Sequence, residues 1–484
     1  MATTPEQLHH DDMQLTLREV QALLVRQKRE EEFVHRQEMK NHELVENLVH
    51  KQNVTRLTGK LSGLHPADIA FLLEALPLED RLFVWELIRG EDSQINDGEV
   101  LLEVSDAVRE SLIDSMEPEE LVAAAEQLDA DELADLAPDL PKQVMDDVYL
   151  GLDAEEREQL RAAMSYEEDA VGALMDFEMV SVREDVTLEV VMRYLRRFDE
   201  LPDHTDQLFV IDREERLLGV LPLHRMLIND PESSVGELML TDMLCLHPGD
   251  KADDAAKAFE RYDLVSAPVT NRDRRLIGRL TVATVVDFIR EQSESELLSQ
   301  AGLKEEEDIF ASVWDSVKNR WSWLAVNLVT AFIASRVIGA FEGSIEKLVA
   351  LAALMPIVAG IGGNSGNQTI TMIVRAMAMG QIQEDMFQRL LRKELSVALL
   401  NGLVWGGLLG ILAAALYHSM SLGLVMTLAM TLNLLLAALM GVCIPMILMR
   451  LGRDPALGSS VMITACTDSG GFFIFLGLAS RLLM

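Results

Sequence analysis

The chain has 484 residues, too many for one core, and its 79 acidic against 42 basic residues leave a net charge of −37. The whole excess falls in residues 1–300, which hold 67 acidic against 30 basic residues, whereas 301–484 balances at 12 of each. A field of that sign repels nucleic acid and gathers cations, and Cys245, Cys443 and Cys466 are too scattered for a disulfide framework or a zinc site.

The opening "MATTPEQLHHDDMQ" has neither a basic stretch nor an apolar one, so no leader is expected there. Residues 1–55, rich in Gln, Glu, Arg and His, read as exposed helix or a mobile arm. From 56 to 165 one short amphipathic helix follows another. "HPADIAFLLEALPLEDRLFVWELI" sets Ile69, Leu72, Leu73 and Leu76 on one face, with Pro66 in a first turn. "MEPEELVAAAEQL", "DADELADLAPDL" and "DAEEREQLRAAM" repeat the style, which predicts an all-α acidic superhelix.

An internal repeat comes next. "VGALMDFEMVSVREDVTLEVVMRYLRR" at 171 aligns with "VGELMLTDMLCLHPGDKADDAAKAFER" at 235, and "DQLFVIDREERLLGVLPLHRMLI" aligns with "VSAPVTNRDRRLIGRLTVATVVDFI". Each copy places a helix before a β-run (Phe209, Val210, Ile211; Ala267, Pro268, Val269). A charged turn, a strand with a central Gly (Gly219, Gly278) and a closing helix complete it. This α+β layout resembles a tandem pair of cystathionine-β-synthase (CBS) modules, placed at 166–229 and 230–292. Such modules often bind ligands, which leaves ATP open as a cofactor, although no phosphate-binding Gly loop is present.

Residues 293–316 read as a charged connecting helix, and from 317 the composition turns apolar. Five stretches, 319–341, 345–375, 393–417, 421–449 and 455–484, are each long enough to cross a bilayer. Lys318, Arg320, Arg375, Arg389, Arg392, Lys393, Arg450 and Arg453 fall on one side. Only Arg336, Lys347 and Arg481 fall on the other, which puts the N-terminus in the cytoplasm and the C-terminus outside.

Two spans carry unusual chemistry. "MPIVAGIGGNSGNQTITM" combines Pro356, Gly362 and Gly366 at close-packing spacing with Asn364, Asn367 and Gln368. Close packing needs no amides, so a polar wall lining a hydrated path is the favoured reading. "RDPALGSSVMITACTDSGG" puts Asp454 before Pro455, where a carboxylate suits a helix N-terminus. Asp468 lies deep in the span, with Thr464, Ala465 and Ser460 one and two turns back. A carboxylate at that depth is costly and marks a functional site unless something pairs with it.

The order of acidic helical domain, CBS pair, connecting helix and five spans is similar to the MgtE family of magnesium channels or transporters. "PIVAGIGGNSGNQ" and "DPALGSSVMITACTDSGGFFIFLGLA" carry that resemblance. It implies a multi-domain membrane protein, a homodimer in a bacterial inner membrane, with a pore on the two-fold axis. The ion site falls to Asp468 of both subunits, with Thr464, Ala465, Ser460, Asn364 and Asn367 around it. Cytoplasmic Mg2+ bound between acidic surfaces would close the pore by way of a plugging connecting helix. Matching positions offer Asp131, Asp135, Glu232, Asp242, Asp263 and Asp454 as its ligands. Mg2+ keeps several waters and is held by one or two carboxylates, which suits facing aspartates. Three rivals remain. A membrane aspartyl protease needs a second intramembrane Asp that the chain lacks, an anchored CBS sensor moves no ions, and a transporter couples Mg2+ to H+ or Na+.

Overall fold

The computed structural model describes residues 5–35, 42–90, 95–198, 201–301, 303, 308–378, 386–451 and 458–484. They form two compact units, one within Met1–Gln292 together with Asp308–Ala311, the other within Ser293–Glu307 together with Ser312–Met484.

The first unit opens with a helical hairpin, α1 (Pro5–His35) and α2 (His42–Leu61), tied by Lys60 to Glu19 at 2.6 Å and Asn53 to Glu30 at 3.2 Å. Val20, Leu24, Leu57 and Leu61 are buried and join the core of the helices that follow. The N-terminal segment is therefore packed helix rather than a free arm. Next come α3 (Pro66–Glu74), α4 (Leu78–Ile88), α5 (Asp97–Glu103), α6 (Asp106–Ile113), α7 (Pro118–Ala125), α8 (Ala130–Leu136), α9 (Lys142–Gly151) and α10 (Ala154–Ala163). Their brevity follows from the sequence. Pro occupies the first turn of α3 and α7, and capping boxes at Glu117/Glu120, Asp129/Glu132 and Asp153/Glu156 start α7, α8 and α10. Ile69, Leu72, Leu73 and Leu76 are all at most 1% exposed, as their spacing predicts.

The repeat follows as β1 (Ser181–Arg183), α11 (Leu188–Leu195), β2 (Gln207–Ile211), β3 (Leu217–Pro222) and α12 (Leu223–Ile228). The second copy comprises α13 (Val235–Leu238), α14 (Ala252–Tyr262), β4 (Ser266–Thr270), β5 (Leu276–Thr281) and α15 (Val282–Ala301). β2 pairs with β1 in parallel and with β3 antiparallel, and β4 pairs antiparallel with β5. The second copy's leading strand is reduced to one parallel bridge, Leu246 to Val269.

The copies exchange their leading segments. Ala170 bridges Lys251 and Asp176 bridges Arg279, while Ser234 bridges Thr187 and Leu240 bridges Val220. Gly219 and Gly278 make this possible. A Cβ on either would lie 2.7 Å from Leu240 O or 2.9 Å from Asp176 O. Glu215 and Arg274 take matching left-handed turns, at φ 63° and 61°.

The second unit holds α16 (Val313–Gly339), the short α17 (Glu342–Lys347), α18 (Ala350–Ala378), α19 (Phe387–Tyr417), α20 (Met420–Arg450) and α21 (Ser459–Leu482). α16, α19, α20 and α21 are long and apolar enough to cross a membrane, and α18 has comparable length with Pro356 in its interior. Asn364, Asn367, Gln368 and its glycines set it apart from the other four long helices. The connecting stretch 293–316 divides between two helices. Its first residues prolong α15 and its last begin α16, which Ser312 caps. α19 and α20 approach closely through Gly402, Gly406 and Gly410, and Thr427 Oγ1 donates to Gly406 O at 3.1 Å.

Candidate functional site

Asp468 stands partly exposed on α21. No described side chain, the exposed Arg336 included, gives it a hydrogen bond or an ion pair. Thr464 is exposed, Ser460 and Ala465 are partly so, and the Thr464 hydroxyl donates to Ser460 O at 2.8 Å. On the other side of the helix Ile463 and Thr467 are fully buried, and Thr467 Oγ1 donates to Ile463 O at 2.9 Å. Both threonine hydroxyls are thus satisfied by their own helix.

α18 has two distinct faces. Gly362, Gly363 and Gly366 are buried. A Cβ on Gly366 would strike Ile463, and one on Gly363 would touch Thr467 Oγ1 at 3.7 Å. Asn364 and Gln368 are exposed and Asn367 partly so. Close packing and a polar surface therefore belong to different sides of one helix. The sequence reading missed Asn433 of α20, which is fully buried. Its amide lies between Gly362 and Gly471, so that a Cβ on either glycine would run into it. Nδ2 donates to Val358 O at 2.9 Å, while Oδ1 is buried without a partner among the described residues. An unsatisfied amide oxygen costs about 1–3 kcal/mol. A lone amide in the apolar "AMTLNLLLAALM" is the signal that would have found it. Glu394 on α19 is also buried, with Lys393 Nζ 3.5 Å away.

The first unit carries an acidic seam. Asp131 and Asp135 lie one turn apart on α8. Loss of water, then the Asp176 charge, pushes Asp131 up to about 8. Asp135 keeps solvent contact and is raised to about 6, by loss of water and then by Glu291, with Arg109 opposing. Asp129, Glu132, Asp176, Glu178 and Glu291 are all raised too, each first by desolvation. Among the described residues Asp176 has one cation beside it: Arg279, buried, at 2.7 Å, whose Nη2 also donates to Asp203 O at 2.7 Å. Carboxylates crowded until protonation becomes favourable lack positive charge, and oxygen donors of this kind suit a hard dication. Asp176 acts on Asp131 and Glu291 on Asp135, and these acids are the candidates to attract such an ion.

Glu232, Asp242 and Asp263 are exposed, and none is among the charges acting on Asp131 or Asp135. Asp263 ends α14 in a left-handed turn, at φ 51°. Asp454 lies outside the described residues. Among the described residues no group of three or more His, Cys, Asp or Glu side chains is close enough to hold a metal ion unaided. Asp176 and Glu291 escaped the sequence reading, yet the repeat held a clue, since an acid stands at 176 where the other copy has Leu240.

Comparison with known proteins adds independent findings. Residues 355–478 match the family described as "Divalent cation transporter", MgtE, and 64–169 match the MgtE intracellular N domain. Residues 171–229 and 235–291 match the CBS domain. The magnesium transporter MgtE of Thermus thermophilus is 32% identical over 435 residues, covering 85% of this chain and 94% of the relative. The magnesium transporter MgtE of Bacillus subtilis is 24% identical over 449 residues, 90% and 99% of the two chains. The crystal structure of the cytosolic domain of the Mg2+ channel MgtE in complex with ATP is similar at 29% identity and a TM-score of 0.45. It covers 50% of this chain and 97% of that one.

Proposed function

The chain belongs to the MgtE family of magnesium transporters, which is not an enzyme family, and on that premise we propose that it conducts Mg2+ inward as a homodimer. The ion site is Asp468 from both protomers, with Ser460, Thr464, Ala465, Asn364 and Asn367 lining the approach. The membrane is a bacterial inner membrane, with the N-terminus in the cytoplasm and the C-terminus outside.

One observation carries this reading: a carboxylate on a membrane-length helix has no protein partner among the described residues. An unpaired charge in apolar surroundings is untenable unless it faces water or a cation. Two such carboxylates across a symmetry axis suit an ion that keeps its waters. The exposed apolar α16, with Leu324 at 64% and Phe332 at 64%, supports burial against lipid or a second copy.

Cytoplasmic Mg2+ is the regulator in this reading, drawn to the seam by Asp131 and Asp135, while Glu232, Asp242, Asp263 and Asp454 are ligands of further ions. Bound there, it supplies the positive charge the seam lacks. The protein's part is to crowd carboxylates that separate when uncompensated, so compaction follows cytoplasmic Mg2+ and closes the path. ATP at the CBS pair is a second ligand, checked by calorimetric titration of the full chain; absence of heat removes it.

The test is Mg2+ uptake into proteoliposomes, wild type beside Asp468→Ala, at low and at millimolar Mg2+ on the cytoplasmic side. Selective uptake that millimolar Mg2+ stops, lost in the variant, supports the reading. No uptake under any condition favours the anchored sensor, and uptake that requires a H+ or Na+ gradient favours the coupled transporter.

A further inference from the structure

Arg81 on α4 is fully buried, and the helical repeat explains how it is built in. Its Nε donates to Leu73 O at 2.8 Å and its Nη2 to Leu76 O at 3.1 Å. Arg109 on α6, 28 residues later, does the same one repeat down. Nε donates to Leu101 O at 2.7 Å and Nη2 to Val104 O at 3.2 Å. Arg109 is then neutralised from within the repeat, by Asp139 at 3.0 Å. The position equivalent to Asp139 for Arg81 is residue 111, and it is a serine, whose Oγ lies a weak 3.5 Å from Nη1. The missing carboxylate comes from outside the repeat instead. Asp308, with its side chain 10% exposed, pairs with Arg81 Nη1 at 2.6 Å.

Asp308 begins the segment Asp308–Ala311, which belongs to the first unit. Its Oδ1 accepts from Phe310 N at 2.9 Å, and its carbonyl accepts from Ala311 N at 2.9 Å. Four residues after it, Ser312 caps α16, the first long apolar helix.

We propose that Arg81 is a socket for Asp308, and that this pair latches the segment preceding α16 onto the acidic helical domain, favouring the closed state. The proposal rests on the reading that cytoplasmic Mg2+ closes the pathway. A guanidinium is a permanent cation, so burying one creates a standing demand for one carboxylate. Ser111 leaves that demand to the linker, and a contact with differential strength in two states shifts their populations.

Two variants of the full chain in proteoliposomes test it. Asp308→Asn removes the plug. Ser111→Asp supplies the acid that Asp139 gives Arg109, which satisfies Arg81 and displaces Asp308 while the fold keeps its ion pair. Uptake is read against cytoplasmic-side Mg2+, and hydrogen exchange is read at residues 309–311. Both variants are expected to exchange faster there and to need between about 5- and 150-fold more Mg2+ to close. An unchanged melting temperature for Ser111→Asp confirms that it folds. Wild-type exchange in both variants overturns the latch. Faster exchange with an unchanged closing concentration overturns its regulatory role, while Mg2+ closure itself stands. If wild type never closes with Mg2+, that reading fails and the latch falls with it; the exchange data still report whether the linker docks.

Discussion

Asp131→Asn tests the seam most sharply, because the substitution keeps the shape and removes the charge. Asp131 has its carboxyl at about 8 in the folded chain against an ordinary 3.8. The folded state thus holds this proton more tightly than the unfolded state does. Stability from this group is complete below about pH 4 and drains away as pH rises through about 8. At 1.36 kcal/mol per pH unit, the loss at pH 8.5 is bounded at about 6 kcal/mol; solvent screening of a partly exposed carboxyl brings it nearer about 2–3 kcal/mol. Asn carries no proton, so without Mg2+ the variant should be more stable than wild type by that amount at pH 8.5 and little different at pH 4.5. For a unit of this size that is roughly 5–10 °C in melting temperature. Scanning calorimetry of the purified full chain in detergent, with chelator and then with Mg2+, reads it directly. Mg2+ should stabilise wild type at pH 8.5 and do much less for the variant. Equal melting temperatures for both proteins at pH 8.5 in chelator would refute the reasoning, since the seam would then carry no uncompensated charge.

Other changes follow from the same physics. Asp468→Asn, isosteric and neutral, should abolish Mg2+ uptake while leaving the melting temperature of the protein unchanged, as proteoliposome flux and calorimetry will tell. Gly471→Ala sets a Cβ 2.7 Å from Asn433 Nδ2 and should cost about 1–3 kcal/mol with loss of uptake. Gly477→Ala, with nothing nearer than Phe341 at 4.0 Å, should be silent in both assays. Arg279→Val leaves Asp176 without its cation and should destabilise the first unit by about 3–5 kcal/mol in denaturant unfolding. Adding Asp176→Leu reproduces the Leu240–Val220 pair of the other copy and should recover most of that loss.

Much of this architecture was written locally. The repeat aligned Gly219 with Gly278 before any strand was seen, and both sit where close backbone contact demands them. Proline and capping residues announced the short helices, and burial of Ile69, Leu72, Leu73 and Leu76 followed from spacing alone. Asp468 was legible because a carboxylate in an apolar run has few explanations. What escaped was long-range. Asp176 meets Arg279 across 103 positions and Arg81 meets Asp308 across 227, and neither pairing leaves a trace in a local window. The two faces of α18 escaped for another reason. Gly362 and Asn364 are neighbours in sequence, and only the seating of Gly362 against Asn433 decides which side is packed.

The exchange of leading segments between the two CBS modules has a consequence for synthesis. Residues 170–176 leave the ribosome early, but their partners at 251 and 279 emerge some hundred residues later. At about 5–20 residues per second, that segment waits several seconds with its bonding edge open. Neither module is complete as a nascent unit, so the pair must fold in one event after α15 begins to appear. During that interval Val171 and Met175, fully buried in the finished protein, are exposed to whatever else is in reach. Slow codons after residue 281 would shorten no part of the wait, whereas those between 177 and 279 would lengthen it. The vulnerable stretch of this gene is therefore its middle, well before the first membrane helix is made.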